Sequence, residues 1–167
     1  MKLLLSDTPL TVSLKTENEM YIDLSALKIS NCVGCFGCWT KTPGKCVIRD
    51  DAVKVYPIIA DSEKIIYVSH IKYGSYDTVM KTMLERAIPI QPAFIRIYNN
   101  ETHHVQRAVK DKEAVIIAYG ELSQEEKNIF TRLVARNANN MSFSSYRIVF
   151  VAKEDLTATV EQEVASW

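Results

Sequence analysis

Residues 64 to 87 read KIIYVSHIKYGSYDTVMKTMLERA. The first eight form a near-continuous apolar, β-branched run, the pattern of a strand covered on both faces. From Asp77 the pattern changes. Val79, Met80, Met83, Leu84 and Ile88 recur at helical spacing, and Pro89 stops the helix. A buried strand leading into an amphipathic helix is the repeating unit of a parallel α/β sheet.

The same unit recurs on either side. KLLLS (2–6), MYIDLS (20–25), AVIIAYG (114–120) and YRIVFVA (146–152) read as further strands. DAVKVYPIIA (51–60) reads as a helix, with Pro57 predicting a kink or a late start. Ser123 and Glu126 form a capping-box pattern ahead of Ile129, Phe130, Leu133 and Val134. Leu156, Val160, Val164 and Trp167 make a last apolar stripe. The methionines and aromatics on these stripes are core. AFIRIY (93–98) alternates, and falls outside the scheme as an edge strand or excursion. Five main strands predict a doubly wound, flavodoxin-like α/β sheet of order 2-1-3-4-5, with ligands beyond the C-terminal strand ends.

Composition sets the bounds. A chain of 167 residues suits a single domain, 1–167, and 47% apolar with 24% charged residues is ordinary globular composition. Zero formal net charge leaves no electrostatic footprint for nucleic acid or an anionic membrane. MKLLLSDTPL is too short in its apolar run for a signal peptide, and no run reaches membrane-spanning length, so the expectation is cytoplasmic.

All four cysteines fall in CVGCFGCWTKTPGKC (32–46). Cys32, Cys35 and Cys38 stand three apart, and TPGK (42–45) is a turn that returns Cys46 to them. A compact set of four thiolates is what a [4Fe–4S] centre uses. Gly34 and Gly37 suit a loop folded tightly around it. Zinc, which favours separated pairs, and a redox dithiol remain alternatives. Thiols that bind nothing are a further alternative, since free Cys is a common core residue.

CVGCFGCWTKTPGKCVIRDDA followed by ADSEKIIYVSHIKYGSYDTVMKTMLERA resembles the NAD(P)H-dependent FMN reductase and iron–sulfur flavoprotein families of flavodoxin-like fold. The resemblance covers residues 31 to 90 well, and AVIIAYGELSQEEKNIF is compatible with it. It implies a [4Fe–4S] cluster on Cys32, Cys35, Cys38 and Cys46. It also implies FMN as cofactor, with its ring wrapped by SHIKYGSYD (69–77). Ser69, Tyr73, Gly74 and Ser75 match that family segment, and Tyr76 follows them. His70 stands where Pro is usual, and Lys72 where an aromatic is usual. Read by itself, Tyr73 is as readily a surface-loop aromatic, His70 a hydrogen-bonded strand-end residue, and His103–His104 part of a loop.

The N-terminus departs from the families' pattern. Relatives follow the first strand with a Ser/Gly-rich loop and a long helix whose amides hold the FMN phosphate. Here SDTPLTVSLKTENEM (6–20) has no glycine, Pro9 interrupts it, and LTVSL looks extended. Asp7 would repel a phosphate, leaving the hydroxyls of Ser6, Thr8 and Thr11. The first helix is expected to be shortened or absent. Losing such a site removes several charge-assisted hydrogen bonds, at roughly 1.5–3 kcal/mol each.

Two functions follow. One is an FMN-dependent, NAD(P)H-linked oxidoreductase or electron-transfer flavoprotein, fed by NAD(P)H or a reduced carrier. The other is a flavodoxin-like subunit that has lost tight FMN binding and acts as partner or scaffold for a complete reductase. The resemblance also implies a homo-oligomer, or pairing with a related flavoprotein; residues 93–107, an insertion outside the plain alternation, are the candidate contact element.

Overall fold

A computed structural model describes all residues, 1–167. The chain runs β1 (Lys2–Ser6), β2 (Glu19–Asp23), the single turn α1 (Gly37–Thr40), α2 (Ala52–Asp61), β3 (Lys64–Lys72), β4 (Ser75–Tyr76) and α3 (Thr78–Glu85). It continues through β5 (Ile95–Tyr98), β6 (Glu101–His104), β7 (Lys112–Tyr119), α4 (Gln124–Asn140), β8 (Phe143–Val151) and α5 (Leu156–Ala165). Strands β2, β1, β3, β7 and β8 lie side by side in that order, each neighbouring pair parallel. This is the expected 2-1-3-4-5 flavodoxin-like order. The short β4 folds back on β3, and β5 with β6 forms a separate hairpin.

Period-two alternation explains why the strand sequences are apolar throughout. Leu3, Leu5, Ile65, Tyr67 and Ile116 point to the face covered by α2, α3 and α4. Leu4, Ile66, Val68 and Ile117 point to the other face, where α5 supplies Leu156, Val160 and Val164. Each fully buried aliphatic side chain contributes roughly 1.5–3 kcal/mol. The capping box of Ser123 and Glu126 opens α4 as expected. Helix α2 shows no late start, since it begins at Ala52 and continues through Pro57. Pro57 sits on the exposed side of α2, where water can satisfy the carbonyl that its ring nitrogen cannot serve.

Residues 7–18 contain no helix. The segment crosses from β1 to β2 as an extended strap. Leu10, Val12 and Leu14 turn inward beside α5, while Pro9, Thr11 and Ser13 face solvent. LTVSL therefore takes the place of the first helix against the sheet. No helix of the chain is long and apolar enough to cross a membrane.

Candidate functional site

Two places carry chemistry. The first is a crevice of about 850 Å3 beyond the C-terminal ends of β1, β3 and β7. Asp7, the residue after β1, forms its floor. Its carboxylate accepts from the Ser69 hydroxyl at 2.8 Å, the His70 backbone N–H at 2.7 Å and the Tyr119 hydroxyl at 2.9 Å. Burial pushes the Asp7 carboxyl up against the pull of those three donors. Burial and the neighbouring Asp7 together push the Tyr119 hydroxyl well above its ordinary value, so it stays a donor. The His70 ring packs on Tyr119, and its Nδ1 lies 2.9 Å from Asp77 Oδ2.

Tyr73 and Gly74 both have positive φ, 54° and 69°, and turn β3 directly into β4. Positive φ at both central residues is the signature of a two-residue hairpin turn. A Cβ on Gly74 would lie 2.6 Å from Ile129 of α4, so only glycine fits there. The expected ring loop is thus a tight hairpin. It leaves His70 and Tyr73 on the crevice and Ser69 buried beneath them. It turns Ser75 and Tyr76 away, into a separate cavity of about 390 Å3 beside α3 and α4. Ser6 is also fully buried, with its hydroxyl donated to the Thr8 carbonyl at 2.7 Å. The structure therefore groups His70 and Tyr73 with Asp7 and Tyr119, and separates them from Ser75, Tyr76 and the Ser6 hydroxyl.

The second place is the cysteine loop. Cys32, Cys35, Cys38 and Cys46 line one small cavity of about 130 Å3, walled by Trp39, Val47 and Ile88. Cys32 and Cys35 are exposed, Cys38 is buried and Cys46 half-buried. Burial, together with the other three thiols, pushes the Cys38 thiol up. Gly34 and Phe36 take positive φ of 63° and 54° on either side of Cys35. Such alternation curves the backbone into a concave nest, a device of many Fe–S sites. No three His, Cys, Asp or Glu side chains are placed to hold a single metal ion. All four cysteines line the same cavity, the minimum requirement for one shared centre.

Arg86, just past α3, lies behind this loop with a side chain 1% exposed. It donates to both Asp50 carboxylate oxygens at 2.7 and 2.8 Å, to the Ser30 carbonyl at 2.6 Å and to Cys46 Sγ at 3.4 Å. Burial pushes the Asp50 carboxyl up, but the guanidinium with the Ser30 and Ala52 amides outweighs it and holds the group low. In front, Trp39 donates its indole N–H to the Gln91 carbonyl and packs between Phe36 and His104. His103 is held by Glu101 and Asn140 and His104 packs on Trp39, and neither lines the cysteine cavity.

Sequence reasoning did not find Tyr119, Asp77 or Arg86. Tyr119 reaches Asp7 across 112 residues, and no local pattern encodes that. Arg86 had one usable signal. A lone arginine among the apolar positions of a helix end, with a paired Asp-Asp upstream, invites a buried ion pair.

No family model matches the chain. It is 34% identical over 68 residues to an iron–sulfur flavoprotein of Archaeoglobus fulgidus, 41% of this chain and 30% of the relative. It is 28% identical over 74 residues to one of Methanocaldococcus jannaschii, 44% of this chain and 37% of the relative. The match spans about a third of each relative's length. Among solved structures, an NAD(P)H:quinone oxidoreductase from Methanothermobacter marburgensis matches with a TM-score of 0.61 at 10% identity, over 99% of this chain and 95% of that one. An FMN-dependent NADH-azoreductase from Bacillus anthracis, in complex with FMN, matches with a TM-score of 0.57 at 10% identity, over 99% and 96%. The resemblance to iron–sulfur flavoproteins thus holds in sequence over part of the chain, and the flavodoxin-like fold over nearly all of it.

Proposed function

We propose that this chain is an electron-transfer flavoprotein, with a [4Fe–4S] cluster on Cys32, Cys35, Cys38 and Cys46 and a flavin ring in the crevice at His70 and Tyr73. The observation that carries this reading is the convergence of all four cysteines on one cavity. When bound, a cluster supplies one-electron chemistry and a flavin supplies one- or two-electron chemistry, with NAD(P)H or a reduced carrier as the source. The chain's own part is placement. Tyr73 offers an exposed aromatic face at the rim, and the His70 ring is hydrogen-bonded to Asp77 at the crevice wall. The crevice reaches Thr78 and Val79 at the start of α3, and the cysteine cavity reaches Arg86 and Ile88 past its end. One eight-residue helix, about 12 Å long by its rise, spans the two.

Tyr73 and His70 on the crevice favour a flavin ring, whereas the segment after β1 has no helix N-terminus to receive a phosphate. That second observation favours the other reading, a subunit that has lost tight FMN binding and partners a complete reductase. The β5–β6 hairpin exposes Phe94, Ile95 and Ile97, and is the surface proposed for pairing with a second copy or a related flavoprotein. Purification without oxygen, with iron, sulfide, zinc and flavin assayed on one sample, separates the readings. Iron with sulfide and retained flavin support the carrier. Iron without flavin supports the partner subunit, and a sample free of all of them removes both redox centres.

A further inference from the structure

The crevice holds the floor of a flavin site but treats a phosphate as a stranger. Its start is the segment after β1, where phosphate would need free backbone N–H groups. Here the first of them, up to Leu10, are committed. The Asp7 N–H goes to the Val68 carbonyl at 3.1 Å, and the Thr8 N–H to Ser6 Oγ at 3.2 Å. Pro9 has none. The Leu10 N–H goes to the Tyr21 hydroxyl at 2.9 Å. The helix whose N-terminus would add a favourable dipole does not exist, because Leu10, Val12 and Leu14 lie flat on the sheet where it would stand.

Three donors at the strand ends serve the protein's own carboxylate. The Ser69 and Tyr119 hydroxyls and the His70 N–H all point at Asp7. The walls repeat its sign. Asp77, Glu121, Glu126 and Glu154 join Asp7 in lining the crevice, against only Lys72 and Lys153. A phosphate monoester carries about −1.5 to −2 at neutral pH. It would meet more negative than positive charge there, and no helix N-terminus to receive it. An uncharged isoalloxazine ring with a ribityl chain meets neither obstacle.

We infer that the crevice selects flavin without its phosphate, taking riboflavin in preference to FMN. This inference rests on the reading of the crevice as a flavin site. The selectivity comes from Asp7 and its three donors together with the acidic walls. It reverses the order expected of a chain with a phosphate-binding first helix.

The test is equilibrium titration of the full chain with riboflavin and, separately, FMN, followed by flavin fluorescence at low and moderate salt. Riboflavin should bind at least about fivefold more tightly at low salt. FMN should tighten as salt rises, because screening relieves like-charge repulsion, while riboflavin should not change. Asp7→Asn should narrow the gap, and Glu121→Gln, an exposed wall residue, should narrow it without disturbing the floor. FMN binding tenfold more tightly than riboflavin would overturn the selectivity and leave the flavin reading intact. Binding of neither flavin would overturn both, and iron content on the same sample would still report on the cysteines independently.

Discussion

The Arg86 guanidinium grips Asp50 through two parallel hydrogen bonds, 2.7 and 2.8 Å long, and rests the same nitrogen pair on Ser30 and Cys46. This one side chain ties α3 to both ends of the cysteine loop. Removing one partner of a buried ion pair leaves the other uncompensated and costs about 3–5 kcal/mol. Arg86→Met should show a loss of that size in urea unfolding, along with loss of iron from the purified protein. Arg86→Lys keeps the charge but not the two-pronged geometry, and should retain part of the stability. A change below about 1 kcal/mol in Arg86→Met would mean that the loop is organised without it.

The fold was legible because its strands are buried on both faces. KIIYVSHI and AVIIAYG are apolar at nearly every position, which only a covered parallel strand demands, and they became β3 and β7. LTVSL read as extended, and it is, with Leu10, Val12 and Leu14 facing inward. The site was less legible, for a physical reason. Tyr73 and Gly74 carry no local mark that distinguishes a loop around a ring from a two-residue hairpin, and the hairpin decides which way Ser75 and Tyr76 face. The Asp7–Tyr119 contact depends on two strand ends meeting, which is topology rather than pattern. The cysteines were the exception, since all four lie within fifteen residues of one another.

Each exposed cysteine should separate iron binding from folding. Cys32→Ser and Cys35→Ser lie at solvent-facing positions, so their unfolding free energies should stay within about 0.5 kcal/mol of the parent. Iron content should fall sharply in both. Cys38→Ser puts a hydroxyl in a buried position and should lose stability as well as iron. Full iron content in any of these variants would remove that residue from the ligand set.

Tyr73 holds a positive φ of 54° although the residue is 83% exposed. A bulky residue in that region stores about 1–3 kcal/mol of strain. Asparagine adopts it more readily. Tyr73→Asn should therefore raise the thermal midpoint while weakening flavin binding, if the ring face is what the strain is kept for. A stabilised variant with unchanged flavin affinity would reduce Tyr73 to a turn residue.

Lys112 gives a pH signature. Its side chain is buried, donating to the Lys110 and Met141 carbonyls, and burial lowers its amine to about 8 despite nearby Asp111. Below pH 8 the folded chain must bury a charge that the unfolded chain keeps in water. Between about 8 and the ordinary 10.5 the unfolded state binds the extra proton, so this group makes stability rise with pH. Lys112→Met should be more stable than the parent at pH 7, by about 1–3 kcal/mol, and the advantage should shrink toward pH 10. The comparison is urea unfolding of both proteins across that range. A gap that stays constant with pH would show that the amine is charged or neutral alike in both states.

The decisive measurement is anaerobic reconstitution of the chain with iron and sulfide, followed by metal analysis and Mössbauer spectroscopy. About four irons and four sulfides per chain, with the spectrum of one cubane centre, are the predicted result. Cys38→Ser carried through the same procedure should come out depleted. Stoichiometric zinc, or protein that emerges free of iron with all four thiols titratable, would contradict the assignment of the cysteine cavity as a cluster site.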